Sequence, residues 1–96
     1  MFAAEAAVEV TAIAAWWHKN RARAPGLFQQ ELKQALVNVA AFPEIGARAK
    51  MPNDPDVRAV LLRKAGYVVF YDVDHVASEI QVLRVRHMKR RPLKGR

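Results

Sequence analysis

The chain has 96 residues, 52% of them hydrophobic and 26% charged, with no cysteine and a formal net charge of +7. That length suits one domain around one core, expected to span residues 1–96; the composition excludes the disordered and fibrous classes, and the lack of cysteine excludes disulfides and thiolate metal sites. The charge is uneven: residues 1–83 hold nine basic and nine acidic residues, so the whole excess comes from Arg84, Arg86, Lys89, Arg90, Arg91, Lys94 and Arg96, a local field that draws phosphates or acidic partners.

The opening "MFAAEAAVEV" carries Glu5 and Glu9 where a signal peptide needs a basic start and an unbroken apolar run. No stretch approaches the roughly 18 apolar residues of a membrane span. The expectation is a cytoplasmic protein without a membrane partner. From Ala3 to Lys19 the residues Ala6, Val10, Ile13 and Trp17 recur at helical spacing, which predicts an amphipathic helix. "NRARAPG" ends it with Pro25 and Gly26, and Arg21 and Arg23 sit where cations oppose the helix dipole. Phe28, Leu32, Ala35, Leu36 and Val39 form the stripe of a second helix over Leu27 to Ala41, closed by "FPEIG". Two helices joined by a short turn make a hairpin with a shared apolar seam.

"ARAKMPNDPD" reads as a loop, with Pro52 and Pro55 excluding regular structure. Beyond it the period falls to two. "VRAVLLR" (57–63), "YVVFYDV" (67–73) and "EIQVLRVRH" (79–87) are rich in β-branched and aromatic residues and are separated by turn formers, the pattern of a three-stranded antiparallel meander. In the last strand Leu83 and Val85 alternate with Arg84 and Arg86, so one face is expected to cover the helices while the other displays guanidinium groups. The predicted fold class is α+β, a helical hairpin packed on one face of a small antiparallel sheet.

Most sites of chemistry are absent from the sequence. His18, His75 and His87 are dispersed and lack ligand spacing, so no metal or cofactor is expected. Asp54, Asp56, Asp72 and Asp74 fall in or beside turns and read as turn formers. Ser78, the one serine, has no nucleophile elbow around it, and no glycine-rich phosphate loop is present. Trp16 and Trp17 point about 100° apart on a helix, so one packs in the core and the other sits at its margin. Tyr67 and Tyr71 share a strand face with Val69; packing is the plainer reading, base stacking the other.

What remains is basic. Lys50, Arg58, Arg84, Arg86, Lys89, Arg90 and Arg91 are the candidate phosphate- or target-binding residues, because the planar guanidinium fork donates two parallel hydrogen bonds to one anion. Among them His87 is a candidate proton acceptor, since like charge favours the neutral ring. The alternative for His87 is a strand end bonded to backbone.

These pieces in this order resemble the RelE/ParE superfamily, the toxins of type II toxin–antitoxin modules also called plasmid-stabilisation proteins. The resemblance rests on "EAAVEVTAIAAWW", on "LFQQELKQALVNVAAFPEIG" with its P-E-x-G exit, on "VRAVLL", on "YVVFYDV", and on "IQVLRVRHMKRRP" with its H-x-x-R ending. It implies a growth-arresting toxin held inactive by a cognate antitoxin through an acidic or amphipathic C-terminal segment. RelE-like members cut mRNA on the ribosome; by that resemblance Arg58, Arg84, Arg86 and His87 would be catalytic. ParE-like members inhibit DNA gyrase without a catalytic site. No tyrosine follows Tyr71, which departs from the RelE pattern, and "VLRVRHMKRRP" is similar to the ParE type. The expectation is therefore a ParE-like gyrase inhibitor, with an mRNA endoribonuclease as the alternative and a non-catalytic nucleic-acid-binding module as a third. The family also begins with a strand, whereas here Met1 and Phe2 alone precede the first helix; the expected sheet has that strand short or missing and an exposed edge.

Overall fold

The structure, a computed structural model, describes residues 1–49 and 56–89. Helix α1 runs Ala4–Asn20 and α2 runs Leu27–Ala41; strands β1 (Ala47–Arg48), β2 (Arg58–Leu62), β3 (Tyr67–Asp74) and β4 (Glu79–His87) form one antiparallel sheet in the order β1-β2-β3-β4. The α+β architecture expected from the sequence is the one observed, with a fourth strand added. That strand lies in the stretch read as loop. Ala47 and Arg48 pair with Ala59 and Arg58, and two residues are too few to leave a period in the sequence.

The helical stripes do what their spacing requires. Ala6 and Trp17 of α1 and Phe28, Leu32, Ala35 and Val39 of α2 are buried, and Val10, Ile13 and Leu36 pack against the same core. On the sheet side the core is closed by Leu62, Val69, Val82 and Val85. Helix α1 lies over β4 and α2 over β2. Charge at the ends of α1 opposes its dipole, with Glu5 in the first turn and His18 and Lys19 in the last. Glu31 of α2 fastens the β2–β3 turn by accepting the N–H groups of Lys64 (2.9 Å) and Ala65 (2.8 Å). Gly66 completes that turn at φ 87°, a conformation that favours glycine. At the next turn Asp74 accepts the N–H groups of Val76 and Ala77 at 3.0 and 3.1 Å, the turn-forming role expected of it.

Two features of β4 differ from the simple alternating strand. Tyr71 pairs with Val82 and Phe70 with Arg84, which leaves Leu83 as the extra residue of a β-bulge. The bulge shifts the inward set: Val82 and Val85, at 1% and 2% exposure, face the helices, while Leu83 is half-buried. Part of the free edge of β4 is also covered. Phe2 bridges Val82 in parallel, with Val82 N–H donating to Met1 O and Ala3 N–H to Val82 O, both at 2.8 Å. The strand expected to be short or missing is thus present as a single bridge.

Candidate phosphate-binding surface

Strand register distributes the candidate residues over both faces of the sheet. Arg58 aligns with Val60 and Leu62 on β2 and lies opposite Tyr71, so it belongs to the helix-facing side. Arg84 and Arg86 lie opposite Phe70 and Val68, on the other side. His87 is opposite Tyr67 and returns to the helix-facing side, its ring edge-on to the tyrosine with centroids 5.2 Å apart. Lys89 is exposed just beyond the strand. Lys50, Arg90 and Arg91 lie outside the described residues.

Three of these groups already have partners inside the chain. The Arg58 guanidinium donates through Nη1 to Gly46 O at 2.7 Å and Glu44 O at 3.2 Å. It holds the loop that leaves α2. Arg84 donates through Nε (2.9 Å) and Nη2 (2.8 Å) to one oxygen of Glu9 on α1, whose other oxygen accepts the Val85 N–H at 2.8 Å. Burial pushes the Glu9 carboxyl up, but the Arg84 hydrogen bond, the Val85 N–H and the fields of Arg84 and Arg86 outweigh it and hold the group below its ordinary value. The same contacts raise Arg84, chiefly through the hydrogen bond to Glu9. At His87 the ring nitrogen Nδ1 accepts the Lys89 N–H at 3.0 Å. An imidazole that accepts at Nδ1 carries its proton on Nε2, so the lone pair a general base needs is engaged.

Arg86 is different. It makes no hydrogen bond or ion pair with another described residue and lines the β4 edge beside Glu9 and His87. With Lys89 it forms the cationic part of the surface open to an anion. The residue that sequence reading missed is Glu9, the partner that commits Arg84. Its position carried a signal: Glu9 is three residues after Ala6 and four before Ile13, on the flank of the buried stripe, where an acid on a packed face calls for a partner. Among the described residues no group of three or more acidic or histidine side chains could hold a metal ion, and no helix is long and apolar enough to cross a membrane.

Comparison with known proteins adds the family. A search among curated proteins finds no match in sequence. The isolated E. coli RelE toxin, known from a crystal structure, is similar in fold, with a TM-score of 0.60 and 28% identity over 94% of this chain and 83% of that one. The sequence itself matches, over residues 1–92, the family described as the ParE toxin of the type II toxin-antitoxin system parDE. The chain therefore belongs to the ParE toxin family and is the toxin component of a type II toxin–antitoxin module, whose partner is an antitoxin.

Proposed function

We propose that this toxin acts by binding, as an inhibitor of DNA gyrase, and not by cutting RNA. The observation that carries the reading is the engagement of the would-be catalytic set: Arg58 on backbone carbonyls, Arg84 on Glu9, and His87 Nδ1 on the Lys89 N–H. An endonuclease of this type needs those donors and that lone pair free for phosphate and for the attacking hydroxyl. The match to the ParE family over residues 1–92 supports the same reading. Target contact falls to Arg86 and Lys89, with Lys50, Arg90 and Arg91 of the same basic set, and the partner that neutralises them is an antitoxin segment of acidic or amphipathic character.

The second reading, a ribosome-dependent mRNA endoribonuclease built on Arg58, Arg84, Arg86 and His87, is favoured by the 28% identity to RelE. Purified toxin distinguishes the two in parallel assays of gyrase supercoiling and of ribosome-bound message. Supercoiling lost with the message intact supports gyrase; the reverse pattern replaces it with RNA cleavage. His87→Gln sharpens the comparison. It leaves gyrase inhibition within about twofold of wild type, whereas removing a general acid or base from a nuclease lowers cleavage by about a hundredfold or more.

A further inference from the structure

Between the C-terminal half of α1 and the adjoining ends of β3 and β4 runs a cleft with two lobes. One lobe, of about 350 Å3, is lined by Trp16, Trp17, Arg21, Tyr67 and His87. The other, of about 290 Å3, shares Tyr67 and His87 and adds Glu9 and Arg86. We infer that this cleft binds a single nucleotide, its base among the rings of the first lobe and its phosphate on Arg86 in the second. The inference does not depend on whether gyrase or RNA is the toxin's target.

The first lobe offers flat surfaces for a heteroaromatic ring. Trp16 is 43% exposed, a large ring left open at the mouth of a cleft. The Arg21 guanidinium lies 4.7 Å from its centroid and 5.6 Å from that of Trp17, a cation–aromatic stack that a base extends. Tyr67 and His87 form the opposite wall with rings 5.2 Å apart. Polar groups fit the same ligand. With Nδ1 of His87 occupied by the Lys89 N–H, Nε2–H is left as a donor for a sugar hydroxyl or a ring nitrogen.

Charge selects an anion. Arg86 is unpaired among the described residues, while Glu9, the acid among the lining residues, has both oxygens committed to Arg84 and Val85. A purely apolar ligand leaves the Arg86 guanidinium without a hydrogen-bond acceptor, and free phosphate leaves the aromatic lobe unfilled. A nucleotide satisfies both lobes, and each lobe alone is near the small end of ligand-pocket volumes, about 300 Å3.

Both tryptophans of the chain, Trp16 and Trp17, line the cleft, so intrinsic fluorescence reads its occupancy. The full chain is titrated with adenosine 5′-monophosphate, adenosine, inorganic phosphate and a trinucleotide. The expected result is a saturable change with adenosine monophosphate, binding of adenosine weaker by about tenfold, and no change with phosphate alone. Arg86→Ala lowers affinity for the monophosphate by about tenfold and leaves adenosine unaffected, and Arg86→Lys recovers part of the loss. Trp16→Ala, read through Trp17, weakens both ligands by about tenfold. Arg63→Ala, on the β2–β3 turn, changes neither, and unfolding curves verify that each variant folds. Tighter binding of the monophosphate than of the trinucleotide assigns the site to a free nucleotide; the opposite order assigns it to a nucleotide within a single strand, and both sustain it. No saturable change with either, an Arg86→Ala variant that binds the monophosphate as wild type does, or equal competition by phosphate alone overturns the inference.

Discussion

Gly46 marks the closest approach of the loop after α2 to the sheet. A Cβ there meets the Tyr71 hydroxyl oxygen at 2.7 Å and the Ala59 carbonyl at 2.9 Å, and neither yields easily, since one is backbone and the other belongs to a side chain with no exposure. The Tyr71 hydroxyl donates to Pro43 O at 2.7 Å and accepts the Gly46 N–H at 3.0 Å, while Arg58 takes the Glu44 and Gly46 carbonyls. Gly46→Ala is therefore expected to destabilise by about 1–3 kcal/mol, and Tyr71→Phe by a similar amount, about 1–3 kcal/mol, because it leaves a buried N–H and carbonyl unpaired; urea unfolding measures both. The sequence shows Pro43 and Gly46 ending a helix. It does not show why this loop is fixed, because the donors from Arg58 and Tyr71 lie 12 to 28 residues from the carbonyls they hold, and no local pattern records that pairing.

Strand β4 is the element on which the candidate site depends, and its edge is held by Glu9 of α1. One carboxylate binds both the Arg84 side chain and the Val85 backbone, so it caps an edge N–H that otherwise invites pairing with another chain. Glu9→Ala is expected to cost about 1–3 kcal/mol. The pH dependence has a definite sign. Glu9 is held below its ordinary value of 4.5 when folded, so the unfolded chain takes up its proton first as pH falls. The contribution is full above the unfolded value and is lost as pH drops through the lower, folded one. The stability difference between wild type and Glu9→Gln should be constant near neutrality and shrink below about pH 4.5, as urea curves across that range will show; a difference that persists at lower pH contradicts the latch. Both helices and the three long strands were legible because periods of 3.6 and 2 persist over many residues. The Leu83 bulge was not, since one inserted residue reverses which side chains face inward without altering composition. The Glu9–Arg84 pair spans 75 positions, and it turned one of the two displayed arginines into a structural contact.

Across the whole molecule, the balance of nine basic and nine acidic residues in 1–83 makes the excess of +7 a property of one end of β4 and of the sequence after it. The register extends this into a gradient along the length of the β3–β4 hairpin. At the hairpin end of β3 and β4 Asp74 lies opposite Glu79 and Asp72 opposite Gln81, and Arg84 and Arg86 stand opposite Phe70 and Val68 toward the other. Such a gradient orients an approaching acidic segment before contact, and orientation acts on the rate of encounter more than on the lifetime of the complex. Arg86 and Lys89 are the described cations at the positive end not committed to an acid. The double change Arg86→Glu with Lys89→Glu is therefore expected to slow association with the antitoxin by about tenfold at low ionic strength, with dissociation altered much less. Raising salt until the screening length falls to about 3 Å, near 1 M, should bring the two association rates together. Stopped-flow mixing of toxin and antitoxin across a salt series tests this directly. A rate difference that survives at high salt would mean that these side chains act through packed contacts and not through their field.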